Sequence, residues 1–261
     1  MATPIQAAYV RSIEEQRARE QERLHGPSGY LAAVARHELP IGTRMRIGPR
    51  DADVVLAGMP RSVEVEAREE GFLIDGSSSG PTSIAAGRYT LRLSHQHAPA
   101  VVVLDAESPR RHEDAELRWF AVDTAMRIRT KLEPDTGTLD IASTASAPRP
   151  AERAGWVSFT IDGVACRLAA TRLLEPGADA EHLDIYFRDA TTGHESYEVG
   201  RYVTLQREGN EVVLDFNLAY NPACALSPFY NCPIPPRENH LGVAIRAGEM
   251  APRTSAATRH R

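Results

Sequence analysis

Lysine is almost absent from this chain: Lys131 is the single one among 30 basic residues in 261. Schiff-base chemistry therefore has one candidate, and its setting, RIRTKLEPD, reads as the polar end of a strand. Cysteine is scarce too. Three thiols are too few for a disulfide-dense secreted scaffold or a four-thiolate zinc site. No apolar run approaches the roughly 18 residues a spanning helix needs, so no membrane partner is expected. A net charge of −5 excludes a globally basic nucleic-acid binder. Residues 1–9 hold no basic region followed by an apolar run, so no secretory signal is expected and the cytoplasm is the expected compartment. Dinucleotide-binding, Walker, zincin and paired-cysteine motifs are all missing. What is abundant is arginine and alanine, the bias of a GC-rich bacterial genome.

Residues 4–24 carry the one convincing helical pattern. Ile5, Tyr9, Ile13 and Leu24 fall near one stripe, while Glu14, Glu15, Arg17, Arg19, Glu20 and Arg23 coat the rest. Gly26-Pro27 stops the pattern, and a second short helix is expected over 29–37. Beyond Pro40 short alternating runs between turn residues predict strands at 43–47, 54–56, 62–67, 71–74, 87–94 and 100–105. After the Ser/Ala/Pro-rich stretch 142–154 they resume at 155–161, 164–169, 183–187, 201–205 and 211–216. This texture predicts a mainly β protein with two packed β-sandwich or barrel-like units and an N-terminal α-helix. The expected segments are a helical arm (1–38), a first β unit (39–141), a linker or loop (142–154), a second β unit (155–250) and a disordered tail (251–261). His95 and His97 alternate onto one strand face, but no carboxylate follows closely enough to complete a metal site, so surface histidines are expected.

The last third is more specific. It runs LDIYFRDATTGHESYEVGRYVTL from Leu183, then VVLDFNLAYNPACALSPFYNCPIPPRENHLGVAIRAGE. The motif positions are Phe187, Asp189, Thr191, Gly193, Tyr197, Gly200, Arg201 and Tyr202, then Asp215 to Asn217, Ala219 to Pro222, Cys224 and Ala225. They end with Cys232, Pro233, Pro235, Pro236, Asn239, Leu241, Ile245 and Ala247 to Glu249. In these residues the chain closely resembles the bacterial and archaeal family called domain of unknown function 1684. One departure is Ser196, where the family usually has Thr. The resemblance implies a location for a site and no reaction. Upstream, RMRIGPRDADVVL resembles the strand and Asp-rich turn of forkhead-associated sandwiches, without the Ser and Asn loops that hold phosphothreonine there.

Elementary chemistry reads that location further. Asp215 and Asn217 share one strand face, with Leu214 and Phe216 turned to the core. The twenty or so residues between Asn217 and Asn239 hold five prolines and two cysteines with almost no secondary-structure signal. A loop that long is uncommon unless functional or tightly packed. The expected site is a polar small-molecule pocket built from 186–202 and 215–239. Arg201 would grip an anionic group, with Tyr202, Asn217, Tyr220, Asn221, Asn239 and Tyr197 as further ligand contacts. Asp215 or Glu249 would move a proton, and Cys224 is a candidate nucleophile. No metal is expected, because Cys224, Cys232, His240 and Asp215 lack the tight spacing of known zinc sites. No cofactor is indicated. The opposing readings are architectural motif residues in a non-catalytic β-sandwich interaction module, or a subunit of an assembly. The thiols of Cys224 and Cys232 are expected to be free, since a reducing compartment disfavours their disulfide.

Overall fold

The structure, a computed structural model, describes residues 3–95, 98–144 and 148–254. It is mostly β, with one long N-terminal helix and several sheets, none closed into a barrel. The helix α1 (Pro4–Leu24) begins with a capping box, in which the Thr3 hydroxyl accepts from the Gln6 amide and the Gln6 side chain accepts from the Thr3 amide. Pro4 sits at its first turn, where its missing N–H costs nothing.

Two antiparallel-rich sheets follow. One is ordered Ala33–Glu38, Ala100–Asp105, Tyr89–Ser94, Thr82–Ala86; the other is ordered Val54–Val55, Arg44–Gly48, Val63–Arg68, Gly71–Ile74, Ser77–Ser79. The alternation in YTLRLS turns Tyr89, Leu91 and Leu93 inward, where they meet Ile47, Val65 and Phe72 of the other sheet in one apolar core. Strand Ala100–Asp105 is buried on both faces: Val101 and Val103 join that core, while Val102 and Leu104 are covered by Ala32, Ala33, Phe229 and Tyr230. The later loop thus packs on the outside of the first sandwich.

The C-terminal part repeats the plan with a second core. A five-stranded sheet runs Leu132–Ile141, Arg149–Ile161, Val164–Leu173, Asp184–Phe187, Arg201–Thr204, and a three-stranded one runs Arg127–Thr130, Glu211–Asp215, Gln206–Glu208. Val157, Leu168, Ile185, Phe187, Val203, Leu214 and Phe216 fill the space between them.

Several expectations need correction. Residues 29–37 are not a helix: Tyr30–Ala32 is one 3-10 turn, and Ala33–Glu38 is a strand paired antiparallel with Ala100–Asp105. The register available beside a long apolar strand outweighs the helical propensity of AAVAR. The strand Arg149–Ile161 begins inside the stretch read as a linker, despite Pro150. His95 is buried rather than on the surface, with its Nε2 2.7 Å from Arg68 O and its ring edge-on to Phe72; His97 lies outside the described residues. In the tail, Arg253–Thr254 pairs with Ala115–Glu116, and 255–261 lie outside the described residues.

On α1 the inward face keeps Tyr9, Ile13 and Leu24 of the stripe read from sequence but not its first member. Ile5 is 82% exposed, and Tyr9, Ile13, Arg17, Gln21 and Leu24 form the seam. Most of these make polar contacts: Arg17 donates to Phe120 O and Gln21 accepts from Leu117 N. The apolar anchor is Leu24, packed with Leu31, Ala115, Leu117 and Leu226. Leu24→Ala is expected to lower unfolding free energy by about 2–5 kcal/mol, and Ile5→Ala by less than about 0.5 kcal/mol. Denaturant titration measures both, and equal effects would show that α1 is not docked on this face.

Candidate functional site

Arg201 is the centre of the motif region. Its guanidinium is 0% exposed and donates through Nη1 to Ala247 O (2.5 Å) and Glu249 O (3.1 Å), and through Nη2 to Ile245 O (2.7 Å) and Asp189 Oδ2 (3.2 Å). The rings of Phe120 and Phe187 lie near its charge, with centroids 5.6 and 5.2 Å from Cζ. Asp189 is itself tied down, accepting from Thr191 Oγ1 at 2.8 Å and from Ile245 N at 2.5 Å. One buried ion pair therefore gathers three carbonyls of the segment 245–249. Gly248 is required there: its φ is +74°, and a Cβ would stand 2.5 Å from Ala219 O.

The clamp fixes Glu249. The Glu249 amide donates to Ala219 O at 2.8 Å, and its carboxylate Oε2 accepts from the Asn221 amide at 2.8 Å. Burial pushes its carboxyl up to about 7, with the Glu20 carboxylate adding to the rise and the Asn221 amide and Arg201 opposing it. This carboxyl lines a cavity of about 600 Å³ between α1 and the 217–226 loop. Asn217, Tyr220 and Asn221 line it as well, as do Arg17, Glu20 and Trp119. Arg17 reaches Phe120 O through Nη1 at 2.9 Å, and its Nε and Nη2 are buried with no hydrogen-bond partner. Desolvation lowers its proton affinity. Asn221 Oδ1 is likewise unpartnered, while its Nδ2 donates to Met250 O.

The other residues expected at the site lie elsewhere. Asp215 does not line the cavity: both its oxygens accept from Tyr9 Oη (2.8 and 2.7 Å), and Oδ1 accepts from Asn217 N and Nδ2. Arg127 Nε stands 3.6 Å from its Oδ2. Burial and the Asp215 carboxylate raise the Tyr9 phenol well above its ordinary value. Asn239 is fully buried and ties Ala169 N and O and Tyr186 O together. Tyr202 donates to Pro233 O and packs edge-on against Tyr186 and Tyr220. Tyr197, Cys224 and Cys232 form a separate group in which Tyr197 and both thiols are hydrogen-bonded. No residue of 186–202, Arg201 included, lines the cavity; that segment acts through the clamp behind it. Among the described residues no group of three or more His, Cys, Asp or Glu is placed to hold a metal ion.

Sequence reasoning missed Arg17, Glu20 and Trp119. A signal was present: Arg17 and Glu20 occupy the interval between Ile13 and Leu24 on the very face those residues bury. A charged residue at a seam position marks either a polar dock or a cavity.

Lysine at position 201 cannot reproduce a planar fork that meets four acceptors. Arg201→Lys is expected to destabilise the fold by roughly 3–5 kcal/mol, as for breaking a buried pair. Thermal and denaturant unfolding check this; a mutant with wild-type stability would show that the clamp contributes no net stability.

A family model described as "Protein of unknown function (DUF1684)" matches residues 113–250. No curated protein matches the chain. The solution NMR structure of the uncharacterized protein from gene locus rrnAC0354 of Haloarcula marismortui is similar at 33% identity, over 51% of this chain and 75% of that one, with a TM-score of 0.42. The match to the family model takes in the Arg201 clamp, Trp119 and Glu249, and leaves out α1 with Arg17 and Glu20. Because it covers more than half of the chain, the protein belongs to the DUF1684 family.

Proposed function

We propose that the cavity beneath α1 binds a small anionic molecule and that Glu249 holds or releases a proton beside it. The observation that carries this reading is Arg17, a half-buried cation with two buried, unpartnered donor atoms, lining the same cavity as a carboxyl pushed up to about 7. Leaving charged donors desolvated and unpaired is costly, and a carboxylate or phosphate oxygen would satisfy both. Trp119 supplies an apolar wall beside the guanidinium, whose Cζ stands 5.8 Å from its ring centroid. The other arginines on the wall are engaged: Arg23 pairs with Glu20 at 3.0 Å, and Arg92 donates to Tyr230 Oη and Ser28 O. Arg17 is therefore the group with capacity for a ligand.

Glu249 gives the site its chemical option. A carboxyl near 7 exchanges a proton with a bound molecule at neutral pH, the requirement for a general acid or base. Turnover and simple binding share this geometry, and the proton-transfer role rests on Glu249 rather than on Asp215, whose oxygens are occupied by Tyr9 and Asn217.

Two variants test the reading. Small carboxylates and phosphomonoesters, screened by thermal shift, should include one that stabilises the wild type and not Arg17→Met, which keeps the bulk and removes the donors. No stabilising anion, or equal stabilisation of the mutant, would sink it. The pH dependence has a definite sign. The folded protein holds the Glu249 proton more tightly than the unfolded chain, so stability present below about pH 4.5 is lost as pH rises through about 7. The loss attributable to this group is about 3 kcal/mol, and Glu249→Gln should abolish it. Anion binding should weaken over the same rise, as Glu249 becomes charged.

A further inference from the structure

Cys224 and Cys232 stand together although they are eight positions apart in the sequence. The turn Ala223–Ala225 carries the first thiol, closed by Ala225 N to Pro222 O and Ser227 N to Ala223 O. The second is pinned from the opposite side, with Cys232 N donating to Thr144 Oγ1 at 2.9 Å and Thr144 N to Cys232 O at 2.9 Å. Between these anchors the Cys224 amide donates to Cys232 Sγ at 3.4 Å, and the two side chains hydrogen-bond each other.

The two sulfurs are not equivalent. Cys224 is partly exposed, whereas Cys232 is buried among Ile141, Ala151, Tyr186 and Tyr202. The hydroxyls of Tyr197 and Thr144 and the Cys232 thiol converge on Cys224, and these contacts lower its pKa while the same pairing and burial raise that of Cys232. Hydroxyl and thiol donors directed at one accessible sulfur favour its thiolate. Cys166, by contrast, is a buried thiol whose pKa burial raises.

We infer that Cys224 and Cys232 form a dithiol–disulfide couple, with Cys224 as the attacking thiolate and Cys232 as the resolving thiol. The oxidant is a low-molecular-weight disulfide. The Cys224 thiolate attacks one of its sulfurs; a mixed disulfide forms, the original S–S bond breaks, and the other half leaves as a thiolate. Cys232 then loses its proton to that thiolate, and its sulfur attacks Cys224 Sγ. The protein disulfide forms as the second half leaves, to be protonated from solvent. Two protein thiols are oxidised, and one small disulfide is reduced to two small thiols.

The test treats the full-length protein at neutral pH with glutathione disulfide and measures intact mass and peptide maps. The expected product is two hydrogens lighter, with a Cys224–Cys232 crosslink that dithiothreitol removes. Cys232→Ser should stop at a glutathione adduct on Cys224, and Cys224→Ser should give neither product. Should either serine variant fail to fold, Tyr197→Phe serves in its place: it removes one donor from the Cys224 sulfur and should slow alkylation of Cys224 several-fold by lowering the thiolate fraction. An unchanged mass, an adduct confined to Cys166, or a Tyr197→Phe protein alkylated at the wild-type rate would each overturn the inference.

Discussion

A guanidinium with no access to water has to be surrounded by acceptors, and the C-terminal half of this protein is built around meeting that requirement. Removing the Arg201 charge from solvent costs several kcal/mol, repaid only if nearly every donor finds an oxygen. Here Asp189 supplies the counter-charge and the carbonyls of Ile245, Ala247 and Glu249 meet the other Nη donors, leaving Nε alone without a partner. A segment that turns three carbonyls toward one point cannot be a regular strand. It needs the positive φ of Gly248, which also lets the backbone pass close to Ala219. The reach of the clamp is longer than its contacts. By holding the Glu249 backbone, Arg201 decides that the Glu249 side chain meets the Asn221 amide and the cavity.

The cavity itself follows from the character of α1. An amphipathic helix with a full apolar stripe would close onto the β-structure and leave no void. This helix touches down through Tyr9 on Asp215, Arg17 on Phe120 O, Gln21 on the 115–117 backbone and Leu24 at its end. Polar contacts of fixed length hold it off the surface, and the space between them is bounded by Trp119 and the 217–226 loop. That loop stays ordered without regular structure because it is pinned on both sides. Phe229 and Tyr230 cover Val102 and Leu104 of the first sandwich, while residues 232–234 bond to 142–144.

Much of this was legible in the residues. Alternation in YTLRLS and VEVEAR marks half-buried strands, and the 183–249 motifs locate the clamp and Glu249. What failed did so for tertiary reasons. The run AAVARHE has helical composition, yet it lies beside a strand buried on both faces that needs an edge partner. Arg201 reads as a ligand-gripping residue because sequence does not distinguish an arginine that faces a pocket from one whose donors are consumed by carbonyls. Arg17 reads as solvated because one helical face looks much like another until its docking is known. Asn239 was expected beside a ligand, and is instead bonded to Ala169 and Tyr186. Amides and arginines that terminate buried backbone segments have the same one-letter signature as those that bind molecules.

The proposed anion site and the proposed thiol couple use separate chemistry but share one short piece of chain. Asn221 and Leu226 line the cavity, and Cys224 lies on the turn between them. Tyr202 packs in one cluster with Cys232, and its ring meets that of Tyr220 on the cavity wall. A disulfide would fix the 223–225 turn against the 232–234 segment, and a bound anion would fix the cavity side of the same turn. Two events that order or displace one element are thermodynamically linked, and the linkage is reciprocal. Any factor by which oxidation changes anion affinity is the factor by which the anion changes the equilibrium between dithiol and disulfide. Position alone does not set the sign. The sign depends on whether the turn geometry that a disulfide requires keeps the Asn221 amide on Glu249: that donor favours the carboxylate, so withdrawing it would raise the carboxyl further and keep it neutral beside the anion to higher pH.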